Sequence, residues 1–177
     1  MKKILAVLFV VLMASGMQAQ NVMNKGDLLF NLGLGGPYNY GLIPTINFSG
    51  EVGVIPTGDV GIVTFGGIAE FQIATYNYGW LDENKSRPIF IIGPRATWHL
   101  QTFQSSEWDV YFGAGFGLRF SGDYKNNDKD DNWDPSVGPY GEIFAGGRYM
   151  FSEKFGIFME VGGYTLSFFK GGITFGI

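Results

Sequence analysis

The sequence has 177 residues, of which 28 are glycine, 17 phenylalanine and 9 tyrosine, while only 16% are charged and none is cysteine. This length suits a single domain, and the missing cysteine excludes a disulfide-stapled fold or a lipoprotein. A formal net charge of -4 argues against nucleic acid as a partner. Many aromatic residues and glycines with few charges predict a chain that faces lipid.

The first residues have the organisation of an export signal. Two lysines precede an unbroken apolar run of ten residues, and mostly small or polar residues follow. A run of this length is too short to span a bilayer as a helix, which needs roughly 20 residues. We predict a signal peptide at residues 1–19, cleaved after Ala19 or alternatively after Gly16, and a barrel domain at residues 20–177.

After the signal, apolar and polar residues alternate with the two-residue period of a β-strand. In the clearest run, Asp109–Phe120, apolar residues at even positions alternate with mostly small or polar residues at odd positions. No segment shows the 3.6-residue period of an amphipathic helix over a useful length. The eight runs are Leu28–Leu34, Pro44–Val54, Val60–Tyr76, Ile89–Leu100, Asp109–Phe120, Tyr140–Phe151, Phe155–Gly163 and Ser167–Ile177.

The connections between the runs alternate in length. Links around residues 56–59, 102–107 and 152–154 are short, whereas those around 35–41, 77–88 and 121–138 are mostly longer and more polar. Short turns on one rim and longer loops on the other are typical of transmembrane barrels. A sheet can cross hydrocarbon only if it closes on itself, because every backbone group needs a partner within the protein. The sequence predicts an all-β, eight-stranded antiparallel up-and-down transmembrane β-barrel.

The polar face of the runs carries four acids and four bases. The interior of an eight-stranded barrel is just wide enough for side chains to fill, and buried charges are tolerated only when they are paired. We therefore predict a salt-bridged interior. Its members are Glu51, Glu70, Arg95, Arg119, Glu142, Arg148, Glu160 and Lys170. The hairpin positions place Glu70 near Arg95, Glu160 near Lys170, and Arg119 within about one pair of Glu142.

The last residues carry a second motif. Lys170, Gly172, Phe175 and Ile177 have the spacing polar, x, Gly, x, x, aromatic, x, hydrophobic, which resembles the signal read by the outer-membrane barrel assembly machinery. With the export signal and the eight runs, the chain resembles small outer-membrane proteins of the OmpA transmembrane-domain or OmpX type. The resemblance implies a bacterial outer-membrane location, contact with lipid and lipopolysaccharide, and the assembly machinery as a partner. We expect a monomer.

Some barrels of this size are lipid-modifying enzymes, and the single histidine is the candidate base for such chemistry. His99 falls on the inner face near the turn rim, with Ser105, Ser106 and Glu107 close in sequence. Acyl chemistry needs a base within hydrogen-bond reach of a nucleophile and a third group that orients the base. We interpret His99 as a rim residue, and we expect no enzyme activity and no cofactor.

The acidic loop at residues 121–138 contains a partial calcium-loop pattern. Asp128, Asp130, Asn132 and Asp134 have the odd spacing of its first half. The pattern then fails, because Trp133 occupies the glycine position and Pro139 the position of the bidentate glutamate. These four residues are a candidate divalent-ion or lipopolysaccharide-bridging site, and a solvated loop is the alternative interpretation.

The sequence favours a non-enzymatic outer-membrane barrel that supports envelope integrity or surface interaction through its loops. Three other functions stay open. A channel for small solutes or ions would need a water path through the interior. A lipid-modifying enzyme would need a working site around His99. A soluble ligand-binding barrel would have its apolar face inside.

Overall fold

The computed structural model describes residues 21–37, 44–78, 83–102, 105–122, 136–163 and 165–177. The predicted signal peptide lies outside these residues and stays a prediction. Eight strands account for most of the described chain. They are β1 Leu28–Pro37, β2 Thr45–Pro56, β3 Gly61–Tyr78, β4 Glu83–Leu100, β5 Trp108–Ser121, β6 Ser136–Ser152, β7 Phe155–Gly163 and β8 Ser167–Gly176, with a short 3₁₀ turn at Gly58–Val60 before β3.

The strands form one closed antiparallel barrel. Each strand pairs with the next along the chain, and β8 returns to pair with β1. The predicted eight-stranded up-and-down fold is therefore confirmed. Within the described residues, no helix is long and apolar enough to cross a membrane.

The alternation in sequence gives the barrel two different faces, because successive side chains of a strand point to opposite sides. The outer face is a band of exposed apolar side chains that includes Leu32, Phe48, Phe71, Ile92, Phe112, Phe116, Leu118, Ile143, Ile157 and Ile173. The inner face is largely polar, and its buried residues include Asn31, Asn47, Thr64, Gln72 and Thr97 besides charged groups. This arrangement is the reverse of a soluble barrel that holds an apolar ligand.

Apolar clusters close the described barrel at both ends. At the loop end the cluster contains Ile68, Ala74, Ile89, Ile91, Tyr140 and Leu166. At the turn end Met23, Leu29 and Ile62 pack together, with Val22 partly buried against them. Most of the charged interior therefore lies between the two apolar clusters, and Ile91 of the loop-end cluster is directly opposite Glu70.

The long links expected around residues 77–88 and 121–138 are partly strand, so these two boundaries were predicted wrongly. The β3–β4 hairpin stays paired as far as Tyr78 and Glu83, and β6 begins at Ser136 opposite Ser121. Proline and polar residues made these segments resemble loops. Pro88 is accommodated because its carbonyl accepts a hydrogen bond from the Gly122 amide at 2.9 Å, which needs no donor from proline.

Candidate functional site

The charged residues of the barrel interior form the candidate site. They occupy inward positions on the strands β2 to β8, and β5 contributes Asp109 near its start. Each is at most 6% exposed. Five are acids, namely Glu51, Glu70, Asp109, Glu142 and Glu160, and their partners are the cations Arg95, Arg148 and Lys170 and the imidazole of His99. They are arranged in three layers between the turn end and the loop end.

The layer nearest the turn end is centred on Arg148. Its Nη1 lies 2.9 Å from Oδ2 of Asp109, and its Nη2 forms an ion pair with Glu51. His99 lies between the same two carboxylates, with Nδ1 2.9 Å from Asp109 Oδ2 and Nε2 3.2 Å from Glu51 Oε2. The hydroxyl of Thr64 donates to Glu51 at 2.8 Å. Both carboxylates are thus shared between an arginine and a histidine.

The middle layer is centred on Arg95. Its Nη2 donates to Oε1 of Glu160 at 3.0 Å, and its Nε lies 3.9 Å from Oε1 of Glu142. The hydroxyl of Tyr111 donates to the same Glu160 oxygen at 3.1 Å. The guanidinium carbon is also 3.7 Å from the centroid of the Phe144 ring, a cation–π contact.

The layer nearest the loop end is centred on Lys170. Its Nζ forms an ion pair with Glu70 and lies 3.6 Å from Oε2 of Glu142, which links this layer to the middle one. The second oxygen of Glu70 accepts a hydrogen bond from the Leu166 amide at 3.1 Å. Leu166 belongs to the apolar cluster that closes this end, so the network and the seal are connected.

Three ion pairs cross the barrel, whereas the pair between Arg148 and Asp109 joins opposed residues of the neighbouring strands β5 and β6. Arg148 of β6 reaches Glu51 of β2, Arg95 of β4 reaches Glu160 of β7, and Lys170 of β8 reaches Glu70 of β3. Long side chains can do this because the interior of an eight-stranded barrel is narrow. Each of these three cross-barrel pairs therefore joins two strands that share no backbone hydrogen bond.

The predicted pairing of Glu70 with Arg95 is wrong. Glu70 lies opposite Ile91 on β4, and Arg95 lies opposite Gly66 on β3, four pairs away along the ladder. Glu160 does lie opposite Lys170 in the β7–β8 ladder, yet its carboxylate binds Arg95. Neighbour register gave the wrong partners because these side chains extend across the interior.

The predicted pairing of Arg119 with Glu142 is also wrong. Arg119 lies opposite Gly138, whereas Glu142 lies opposite Gly115, four pairs away. Arg119 is only partly buried near the loop rim, and Glu142 contacts Arg95 and Lys170 instead. The expected balance of four acids and four bases therefore changes, since Asp109 and His99 join the buried set.

His99 is not the rim residue that the sequence suggested, because its side chain is fully buried in the turn-end layer. The signal for this role was present in the alternation, which puts Arg95, Thr97 and His99 on one face. Ser105 lies outside the barrel interior, where its Oγ accepts hydrogen bonds from the Glu107 and Trp108 amides at 3.2 and 3.0 Å. These contacts are those of a turn.

The candidate ion-binding residues Asp128, Asp130, Asn132 and Asp134 lie outside the described residues. Across the ranges that the structure describes, no group of three or more His, Cys, Asp or Glu side chains has the geometry to hold a metal ion. The ion-bridging site is therefore a prediction from the loop sequence.

The residues of the predicted assembly motif lie on β8 at the closing seam. Lys170 points inward to Glu70, and Gly172 lies against Gly33, where a Cβ would come within 2.4 Å of the Gly33 Cα. Phe175 is outside, stacked on Phe30 with ring centroids 5.4 Å apart. In the closed barrel the motif thus contributes an ion pair, a close strand contact and an aromatic contact.

Closure, an apolar outer face and a charged, braced interior define the chain as a small β-barrel of the transmembrane type. No protein-family model matches the chain, and no curated protein matches its sequence. Two solved structures of Ail, the attachment invasion locus protein of Yersinia pestis, are similar in fold. The one in complex with the heparin analogue sucrose octasulfate has 10% identity and a TM-score of 0.47, and the other has 12% and 0.44. Each alignment covers 86% of this chain and 96% of the Ail chain.

Proposed function

We propose that the chain is a bacterial outer-membrane barrel that works without catalysis or conduction and serves envelope integrity or surface interaction. The observation that carries the proposal is the pairing of a lipid-type exterior with an interior filled by cross-barrel ion pairs. A body of this kind is a rigid support, and it leaves the loop rim as the region that can meet other molecules.

The aromatic residues of the outer face support a membrane location. Near the turn rim, Trp98 packs edge-on against Phe112 with centroids 5.1 Å apart, and Trp108 packs against Tyr149 at 4.7 Å. The indole nitrogen of Trp98 donates to the Thr57 hydroxyl at 3.1 Å, which gives this amphipathic ring a polar contact toward the turn. Transmembrane barrels carry such aromatic girdles where the apolar band meets the headgroups.

A sealed interior argues against the channel alternative. Continuous conduction needs a chain of water from one mouth to the other, whereas the ion-pair layers and the two apolar clusters occupy that path. In planar bilayers we expect no steady single-channel current from the refolded barrel. Open-channel steps in most insertions would refute this part of the proposal.

The surroundings of His99 argue against the enzyme alternative. A general base needs contact with its substrate, and both nitrogens of His99 already face carboxylates in the buried interior. Expressing the chain in a bacterium should therefore leave the lipid A mass spectrum unchanged. A new acylated or deacylated lipid A species that is lost in His99→Ala would favour the enzyme.

The β3–β4 hairpin supports a role in surface interaction. Six pairs, from Ile73 opposite Pro88 to Tyr78 opposite Glu83, lie beyond the last pairs that β2 and β5 make with these strands. At about 3.4 Å per residue, this ribbon extends about 20 Å past that level. Beyond Ala74, which is buried in the loop-end cluster, this ribbon makes no described pair with β2 or β5.

Deletion and complementation would separate the two proposed roles. A deletion strain is complemented with the full chain or with a variant in which residues 75–86 are replaced by Asn-Gly, a two-residue turn suited to a hairpin. An envelope role of the body predicts that both restore resistance to a large antibiotic, whereas a surface role predicts that only the full chain restores adhesion to host cells or matrix. Unaltered permeability and adhesion in the deletion strain would contradict the proposal.

A further inference from the structure

The residues before β1 fold back over the turn end of the barrel. Asn24 and Asp27 form a tight turn, in which the Asn24 amide donates to Asp27 Oδ2 at 2.8 Å and the Asp27 amide donates to the Asn24 carbonyl at 3.2 Å. Gly26 has a φ of +93° in this turn, a conformation that glycine adopts readily. The segment therefore has its own compact shape and does not continue a strand.

Three hydrogen bonds dock this segment on the barrel. The Gly26 amide donates to the Gly53 carbonyl at 2.9 Å, the Gly53 amide donates to the Asp27 carbonyl at 3.0 Å, and the side-chain amide of Gln101 donates to the Met23 carbonyl. A Cβ at Gly53 would lie 2.0 Å from the Asn24 carbonyl oxygen, so the approach requires glycine at this position.

Met23 seals the mouth. Its side chain is 1% exposed and packs against Leu29 and Ile62. Ile62 lies opposite His99 in the β3–β4 ladder, so the charged layer of Glu51, His99, Asp109 and Arg148 begins at the level of this seal.

We propose that residues 21–27 are a plug that docks reversibly in the turn-end mouth and controls the access of water and small cations to the turn-end charged layer. The two seals differ in construction. The loop-end cluster is built mainly from residues of β3, β4 and β6, which cannot leave without breaking the sheet. The plug depends on one buried side chain and three hydrogen bonds, so it opens more readily than the barrel unfolds. When the plug is open, the carboxylates of Glu51 and Asp109 in the turn-end layer attract cations.

The absence of cysteine in the chain allows a direct test. Thr97 points inward between Arg95 and His99 and is 2% exposed, so Thr97→Cys places a near-isosteric thiol just inside the charged layer. The refolded full-length mature barrel is treated with a cationic, membrane-impermeant methanethiosulfonate reagent, and the labelling rate is followed by mass. Heat-dependent gel mobility reports folding for every variant.

Three second substitutions are compared in the Thr97→Cys background. Met23→Ala and deletion of residues 21–25 should each raise the labelling rate about tenfold or more, because the buried side chain no longer holds the plug. Met159→Ala removes a methionine that is 55% exposed on the outer face, and it should leave the rate unchanged. Leu166→Ala loosens the loop end, and it should also leave the rate unchanged, because two ion-pair layers separate it from Thr97.

Two results would overturn the proposal. One is rapid labelling of Thr97→Cys in the otherwise unchanged barrel, which would mean that the mouth is not sealed. The other is a labelling rate in folded Met23→Ala and in the deletion variant that equals the rate in Met159→Ala. Faster labelling in both plug variants alone would establish the plug as the barrier.

Discussion

Replacing Arg148 by methionine tests the energetic role of the interior network. Arg148 is 1% exposed, it forms ion pairs with Glu51 and Asp109, and its guanidinium carbon lies 4.6 Å from the centroid of the Tyr111 ring. Methionine fills much of the same space without charge, so the buried carboxylates of Glu51 and Asp109 would lose their arginine partner. Breaking a buried pair in this way costs about 3–5 kcal/mol, and we expect a loss of that size in the free energy of unfolding.

The assay is reversible urea unfolding of the barrel refolded in lipid vesicles, followed by the fluorescence of the four tryptophans and by heat-dependent gel mobility. Lys154→Met is the matched control, because Lys154 lies exposed in the β6–β7 turn, and its effect should stay within about 0.5 kcal/mol. A double-mutant cycle with Glu51→Gln should give a coupling energy of about 0.5–3 kcal/mol. A loss below about 1 kcal/mol for Arg148→Met would refute the reasoning, since the layer would then contribute packing and not charge pairing.

Three further predictions use pairs of neighbouring or matched positions. Gly66→Ala should destabilise the barrel by about 1–3 kcal/mol in urea unfolding, because the new Cβ would lie 1.8 Å from the Gly50 carbonyl oxygen. Gly67→Ala should be tolerated, because its Cβ meets only the Gly93 carbonyl oxygen at 3.4 Å. Equal effects of the two substitutions would contradict the strand packing. Phe116 in the middle of β5 and Val137 near the loop rim are similarly exposed, at 69% and 63%. In vesicles, Phe116→Arg should lower the free energy of unfolding by about 2–4 kcal/mol and Val137→Arg by about 0–1 kcal/mol. A barrel that tolerates both substitutions would not face lipid. Arg95→Met should lower the urea midpoint of unfolding much more than Arg119→Met. The reason is that Arg95 pairs with Glu160 across the barrel, while Arg119 is only partly buried near the rim. Similar midpoints for the two variants would argue against stabilisation by cross-barrel ion pairs.

The strands and their faces could be predicted because a two-residue period is a local property of the sequence. In Asp109–Phe120 the alternation puts Val110 and Phe112 on one face and Tyr111 on the other, and the structure shows that the face of Val110 and Phe112 is the outer one. The hairpin order followed from the short turns. The ends of β3, β4 and β6 were less accessible, because paired segments that extend past the apolar band no longer need apolar residues and resemble loops.

The partners inside the barrel could not be predicted from the alternation. Which inward residues meet across the interior depends on the stagger that accumulates from strand to strand around the ring. Arg95 and Glu160 are three strands apart, and no single hairpin register determines their relative height. Asp109 and His99 lie on the predicted inner face, but their ion-pair partners Arg148 and Glu51 belong to other strands.

The ion pairs also provide information that the alternation lacks. A one-residue slip of a strand would move its charges to the lipid face, so alternation already opposes it. A two-residue slip keeps every side chain on its proper face and shifts it by about 7 Å along the strand. Such a slip of β6 would separate Arg148 from both Asp109 and Glu51 and leave buried charges without partners. We interpret the network as the feature that selects among registers that hydrophobicity alone would accept, which gives the charged residues of the interior a structural role.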